Sequence, residues 1–457
     1  MTLSDSSSTA VTASTTKEEY CVLPLKRKFL IVAIATLAGC LGPIAGNIYM
    51  PILPSLEDIF QVSSSTMDGT VSVFMAIFAF CPLIWASWAD YGGRKMLYLL
   101  PLSFFIIANV LLASVPANIV ALYILRIVQA FGASSVMSVG AGIVSDVIEP
   151  RNRAKAISIF MWGPQLGPVI GPVLSLIATG SWRWIFGFLA LFGFAVYLMI
   201  LFLLPETLRF LVGDGSCLGK GIFVKPKWQR KVVEGYPRPP KPSLRNYWNL
   251  LRYPPVLLCS INSGLLFATF YGVLITFSRV LSEQYNFNTV QTSLSYLCPG
   301  GALIIGSTIG GWLSDKLSTR DDYIPEHRFS IQIAGLLVSM TGVIGYAWTV
   351  EKHAPVHPVF VFTFLAGFGM TWVFVATTTY LTECSPSQPS ANVAIGNLMR
   401  NVAAAICTAI VEILIKKMGF GWCMTGLGLL DLLGIGIVIV LLRKGPKWRC
   451  NKEKALD

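Results

Sequence analysis

Twelve long, strongly apolar runs divide this chain, and no other feature limits its fold so tightly. They begin near Phe29, Thr70, Leu97, Ala117, Lys155, Arg183, Pro255, Thr289, Arg328, Val356, Ala391 and Phe420. Each is close to the roughly 20 residues a helix needs to cross the hydrocarbon core of a bilayer. A backbone in lipid must satisfy its own N–H and C=O groups, which leaves helices and closed barrels. Barrel strands are short alternating segments of about ten residues, and these runs do not alternate. Only 13% of the 457 residues are charged, against about 25% in soluble domains. The expectation is an all-α membrane protein of twelve transmembrane helices. A soluble enzyme, a nucleic-acid binder and a single-anchor protein are excluded.

The net charge of +12 belongs to topology. With both termini cytoplasmic, 28 of the 35 Lys and Arg fall on inside segments and five outside (Arg183, Arg279, Lys352, Lys416, Lys417), while Arg126 and Arg400 lie within spans. Loops rich in Lys and Arg stay on the cytoplasmic side, so this orientation is expected. The first run is longer than the 7 to 15 residues of a signal-peptide core and should remain as helix 1. Six of the ten cysteines lie in or beside apolar spans and four on the reducing side, so no disulfide framework is expected. With three His and no CxxC or HExxH, a metal site is not expected either.

Residues 1–28 read as a disordered cytoplasmic tail, 29–204 as a first six-helix bundle, 205–254 as a basic cytoplasmic linker, 255–442 as a second bundle and 443–457 as a basic tail. The bundles are nearly equal in length, as an internal repeat requires. A sequence echo supports it: Ser87-Trp88-Ala89-Asp90 closes the second run and Trp312-Leu313-Ser314-Asp315 the eighth. Two related bundles around a midplane site is the plan of alternating-access transporters.

Several residues stand out chemically. In Asp90-Tyr91-Gly92-Gly93-Arg94-Lys95 glycine permits a tight turn, and Asp90 is expected to pair with Arg94 or cap a helix end. Arg126 lies inside the fourth run, where an arginine costs about 2.5–3.5 kcal/mol on the insertion scale; functional and snorkelling readings are both open. Gly163, Gly167 and Gly171, each followed by proline (Pro164, Pro168, Pro172), recur at steps of four and should let a helix of the other half approach closely. Asn397 and Arg400 make the eleventh run the most polar, and such a stretch must face protein or a watery cavity. Glu412 and Asp431 are the acids most plausibly within spans. Gly219-Lys220 lacks the spacing and the Ser or Thr of a phosphate loop, so the energy source is an ion or substrate gradient.

Together these motifs resemble the major facilitator superfamily, and within it the 12-spanner drug:proton antiporters, over nearly the whole chain. Asp90–Lys95 looks like the loop 2-3 signature, Leu122–Gln129 like the span 4 signature whose arginine is implicated in proton coupling, and Gly163–Pro172 like the antiporter signature. Gly42-Pro43, Asn47-Ile48-Tyr49, Trp182-Arg183-Trp184, Leu204-Pro205-Glu206-Thr207-Leu208-Arg209 and Asn397-Leu398-Met399-Arg400 resemble the fungal quinidine-resistance and dityrosine-exporter branch.

The resemblance implies a proton-coupled antiporter that exports small organic compounds at the plasma membrane by alternating access. It needs no cofactor beyond the proton gradient, and its partners are a small-molecule substrate, protons and the lipid bilayer; a monomer is expected. Arg126, Glu412 and Asp431 are the proton-coupling candidates, and Asn47, Arg126, Gln129, Gln165, Asn397 and Arg400 the substrate-binding candidates. Asp90, Gly93, Arg94, Lys95, Asp315, Gly163, Gly167, Pro168 and Gly171 are the gating candidates. Two buried arginines favour an organic anion or neutral compound over a lipophilic cation. An exporter dedicated to one di- or tricarboxylate or other metabolite, and a non-transporting membrane sensor of the same fold, are the alternatives.

Overall fold

A computed structural model of the chain describes residues 20–48, 53–175, 181–213, 241, 243–318, 324–384 and 388–454. The described residues are helical almost throughout. The helices are α1 (Leu25–Asn47), α2 (Leu53–Phe60), α3 (Ser64–Gly92), α4 (Met96–Ser114), α5 (Ile119–Ala133), α6 (Ser135–Val147), α7 (Arg153–Leu174), α8 (Arg183–Leu203), α9 (Arg209–Val212), α10 (Leu244–Arg252), α11 (Pro254–Arg279), α12 (Thr289–Ser295), α13 (Leu297–Ser318), α14 (Gln332–Glu351), α15 (Val356–Glu383), α16 (Pro389–Met418) and α17 (Phe420–Lys454). Local chemistry sets several ends. The Asn118 carboxamide accepts from Val120 and Ala121 N–H at 2.9 and 3.3 Å to start α5, and the Ser63 hydroxyl accepts from Thr66 to start α3.

Ten of the helical stretches among the described residues are long and apolar enough to cross a membrane. Two further long helices, α7 and α16, carry the Gly-Pro steps and the Asn/Arg stretch. They sit between the halves, α7 packed on α1 and α13, α16 on α11, α3 and α6. A helix covered by protein can carry polar groups that lipid would reject, which reconciles their composition with their length.

The repeat is visible in the packing. In the first half α1 packs on α7, α3 on α5 and α4 on α8; in the second, α11 packs on α16, α13 on α15 and α14 on α17. One apolar core lies within the first half, around Phe74, Phe105 and Phe186, and another is built on the second half, around Phe277, Leu336 and Val373, and extends to α1, α6 and α7 through Val32, Ala141 and Ile157. Large apolar side chains such as Ile107, Leu191, Phe202 and Leu433 point outward, as lipid-facing residues do.

Four expectations change. Residues 20–28 are ordered, not part of a disordered tail: Cys21 and Leu23 are buried and α1 begins at Leu25. Residues 1–19 lie outside the described part. The linker contains α10, whose Tyr247 hydroxyl donates to the Leu83 carbonyl of α3. The last helix does not stop at Leu442 but continues as α17 to Lys454, held where Trp448 packs on the second core and Arg449 approaches Glu326 at 3.5 Å. The Gly163, Gly167 and Gly171 face turns to α1 in the same half and not to the other half. Cβ atoms there would meet the Thr36 carbonyl, Pro43, and Asn47 Cβ at 3.0 Å, respectively. The contact between halves uses another side of α7, where Trp162 Nε1 donates to Thr308 Oγ1 of α13 at 3.1 Å.

Candidate functional site

Two polar groupings interrupt the apolar bundle. One closes the end where the linker and both described chain ends lie; the other consists of polar side chains buried deeper between the helices.

At the linker-side end, Gly93 takes φ +123°, a conformation costly for residues with a side chain. That turn swings Arg94 back toward Asp90, and the two form an i,i+4 ion pair with both side chains buried. Asp90 also accepts from the N–H of Ser390 at 3.3 Å and of Ala391 at 2.9 Å, the first residues of α16 in the other half. A carboxylate on free N–H groups at the positive end of a helix is a favourable pairing. Arg94 Nε donates to Asp146 Oδ2 at 2.8 Å and Nη1 to Ser390 Oγ at 2.6 Å. Burial opposes the Arg94 charge, yet Asp146 and Asp90 outweigh it and leave its pKa raised. Glu206 completes the loop, receiving the backbone N–H of Arg94 at 2.8 Å and of Lys95 at 3.3 Å. Burial depresses the Lys95 pKa, and its ammonium is held on the Leu201 carbonyl at 2.7 Å.

The second half repeats this plan. Asp315 accepts from Ala154 N–H at 3.1 Å and Lys155 N–H at 2.8 Å, at the start of α7 in the first half. Arg328 pairs with Asp315 at 3.0 Å and with Glu383 at 3.2 Å, and donates to the Pro150 carbonyl at 2.6 Å. Each half therefore caps a central helix of the other. Asp90 pairs with Arg94 in the first network, and Asp315 holds the corresponding place in the second. Asp146, Arg328 and Glu383 were not singled out from sequence, although Asp146 and Glu383 each stand at the end of a helix, α6 and α15.

Deeper in the first half, Arg126 of α5 is fully buried. Its guanidinium lies 4.3 Å from the centroid of Phe74 and donates to Gln129 Oε1 at 2.8 Å and to the Ala45 carbonyl at 3.1 Å. Gln129 passes the chain on to Asn109 at 2.7 Å. Asn47 turns its amide to the Pro43 carbonyl of its own helix at 2.7 Å. Gln165 of α7 is buried, with neither amide atom bonded to protein.

In the second half, Arg400 of α16 is buried between two rings, 4.1 Å from Phe374 and 4.9 Å from Phe267. It donates to Asn397 Oδ1, and its Nε and Nη1 have no hydrogen-bond partner in the protein. Asp431 is fully buried on α17 with the Thr269 and Ser339 hydroxyls beside it. The Glu412 and Pro168 side chains lie outside the described residues.

Residues 35–356 match the family model of the Major Facilitator Superfamily. The chain belongs to that superfamily. It is 39% identical over 468 residues to "Dityrosine transporter 1" of Saccharomyces cerevisiae, covering 92% of this chain and 80% of the relative. It is 39% identical over 458 residues to "Multidrug transporter DTR1" of Candida glabrata, covering 92% and 84%. Among solved structures it shares its fold with the human organic anion transporter MFSD10, with TM-score 0.69 at 16% identity over 91% of this chain and 100% of that one. This superfamily member is a multi-pass membrane transporter, not an enzyme, and of the fungal exporter branch that its motifs indicated.

Proposed function

We propose that this chain exports a small organic anion with aromatic character in exchange for protons, at the plasma membrane, as a monomer with both termini cytoplasmic. The observation that carries the reading is Arg400, a buried guanidinium with two donor groups unused by the protein and aromatic walls on either side. A guanidinium fork fits a carboxylate, and flanking rings suit an aromatic body. Dityrosine, the molecule in the name of one relative, combines carboxylates with aromatic rings.

Arg126 supplies a second buried positive charge, in the first half on α5, supported by Gln129, with Asn47, Gln165 and Asn397 available to line the path. The linker-side networks act as the cytoplasmic gate. With Asp90 on α16 and Asp315 on α7 that side is shut. Opening requires both aspartates to leave their helix ends together, while the glycine face of α7 lets α1 and α7 move as one packed pair. The excess of Lys and Arg on linker-side loops supports a cytoplasmic location for that side.

The test uses inside-out vesicles with an acid lumen and labelled dityrosine. Uptake that a protonophore abolishes, and that Arg400→Ala reduces by about tenfold or more as expected for one charged hydrogen-bonding partner, supports the reading. Quinidine uptake at full rate in Arg400→Ala with no dityrosine uptake in the parent overturns it in favour of a cation exporter.

A further inference from the structure

Six fully or nearly fully buried acids occur among the described residues, and five of them share one property. Asp90 and Asp146 face Arg94, Asp315 faces Arg328, Glu326 faces Arg449, and Glu206 receives four backbone N–H groups. All five lie at the linker-side end. Asp431 alone stands away from it, in α17 where that helix packs on α11 and α14. Its neighbours are the Thr269 hydroxyl of α11 and the Ser339 hydroxyl of α14.

The hydrogen-bond directions discriminate between the two forms of this carboxyl. The Thr269 hydroxyl donates its proton to the Leu266 carbonyl at 2.8 Å and so offers Asp431 a lone pair. Among the described residues the Ser339 hydroxyl is the one other side-chain hydroxyl beside it, and neither carboxyl oxygen has a hydrogen-bond partner within the protein. An ionised carboxylate only accepts, whereas a carboxylic acid has one O–H to give. Burying a carboxylate without a cation costs many kcal/mol and is avoided by neutralisation. No such cation is at hand from the packed elements. On α14 Tyr346 is bonded to Thr276 and Glu351 takes the Gly421 N–H. Cys407 of α16 packs in the small core at the other end of α17, and the Glu326–Arg449 pair closes the linker-side end. Arg400 of α16 lies on another side of α11, against Phe267. Phe267 and Thr269 are two residues apart, about 200° around a helix, so α11 separates the two groups. One buried amide, Asn262, lies on the Thr269 side of α11 toward the linker end, with neither of its polar atoms bonded to protein.

We propose that Asp431 is the proton-binding site of the transport cycle, loaded in the closed-gate conformation described here, with the Thr269 oxygen as the acceptor beside it. The inference rests on the antiport reading and names its proton carrier. On unloading, the Asp431 O–H bond breaks, the proton leaves past Asn262 toward the cytoplasm, and the carboxylate left behind must find water or new donors. That demand pulls α11 and α17 out of register, and α11 carries the Phe267 wall of the Arg400 cage. Proton and cargo thus act on two faces of one helix.

Two measurements test it. Infrared difference spectroscopy of the reconstituted parent across a pH jump should show a protonated-carboxyl band that Asp431→Asn abolishes and Glu412→Gln retains; this arm needs no substrate. In the vesicle assay, Asp431→Asn should lower gradient-driven dityrosine accumulation by about tenfold or more, the scale of an ordinary coupling free energy, while dityrosine counterflow without a gradient continues. Thr269→Val, which removes the acceptor without touching the acid, should weaken coupling in the same sense. A band surviving in Asp431→Asn, or one lost in Glu412→Gln alone, overturns the proposal. Loss of dityrosine flux in the parent would count against the substrate reading, and the infrared arm would still decide this one.

Discussion

At the residue scale, small and charged side chains act through what surrounds them. Gly167 lies against Pro43 so closely that a Cβ would come within 2.6 Å of the Pro43 carbonyl carbon. The Pro43 carbonyl carbon belongs to the backbone of a packed helix, which cannot swing aside as a flexible side chain would. Gly167→Val should therefore lower stability by roughly 1–3 kcal/mol, the usual penalty of overpacking, and this would register as an earlier thermal transition of the detergent-purified protein. Arg400→Lys separates charge from shape. The ammonium keeps the positive charge but loses the planar fork and much of the stacking on Phe267 and Phe374. The Michaelis constant for dityrosine should rise several-fold in Arg400→Lys while protein levels hold; an unchanged value would remove Arg400 from the binding site.

At the element scale, the same device appears twice. Asp90 and Asp315 each sit on the N-terminus of a helix from the other half, α16 and α7, and each is backed by an arginine and a second acid. Neutralising one aspartate removes a helix-end interaction worth up to about 2 kcal/mol when partly buried. It also leaves Arg94 or Arg328 with one fewer counter-charge. Asp90→Asn should therefore shift the protein toward conformations open at the linker side. A cysteine placed at Ser390, the residue that meets both Asp90 and Arg94, reports this directly. Its labelling by a maleimide applied from the cytoplasmic face should speed up several-fold in Asp90→Asn, and Asp315→Asn should do the same through α7. The linker is part of this element-level design, since α10 holds on to α3 through Tyr247 and Leu83.

At the scale of the whole molecule, two similar bundles exchange helix caps at one end, and the basic linker lies at that end. The proposed orientation, with both termini cytoplasmic, predicts that epitopes attached at either terminus are digested by protease from the cytoplasmic side only. The two helix-cap networks should also be interdependent if they gate as proposed, because both would have to break for the halves to rock. The combined effect of Asp90→Asn and Asp315→Asn on Ser390→Cys labelling should thus exceed the sum of the single effects, a departure from additivity expected only for coupled sites. Simple additivity would mean that the halves open independently.

Much of this was legible in the chain. Apolar runs long enough for a bilayer, the bias of Lys and Arg toward one set of loops, and the Asp90/Asp315 echo are one-dimensional patterns, and they determine the helical membrane class, the repeat and the exporter family. Other things depend on which helices meet, and a linear pattern does not hold that information. Gly163, Gly167 and Gly171 read as a close-packing stripe from their spacing, but only the packing of α1 on α7 decides that their partner lies within the same half. Asp90 was readable as a helix cap, yet the helix it caps begins 300 residues later. Asp146, Arg328 and Glu383 looked like ordinary charges at span ends until the fold placed them around those caps. Asp431 was legible as an acid within a span, but so was Glu412, and the linear pattern does not choose between them. What sets it apart is the cation-free, hydroxyl-lined seam between α11, α14 and α17, because the state of a buried carboxyl is decided by what tertiary packing brings beside it.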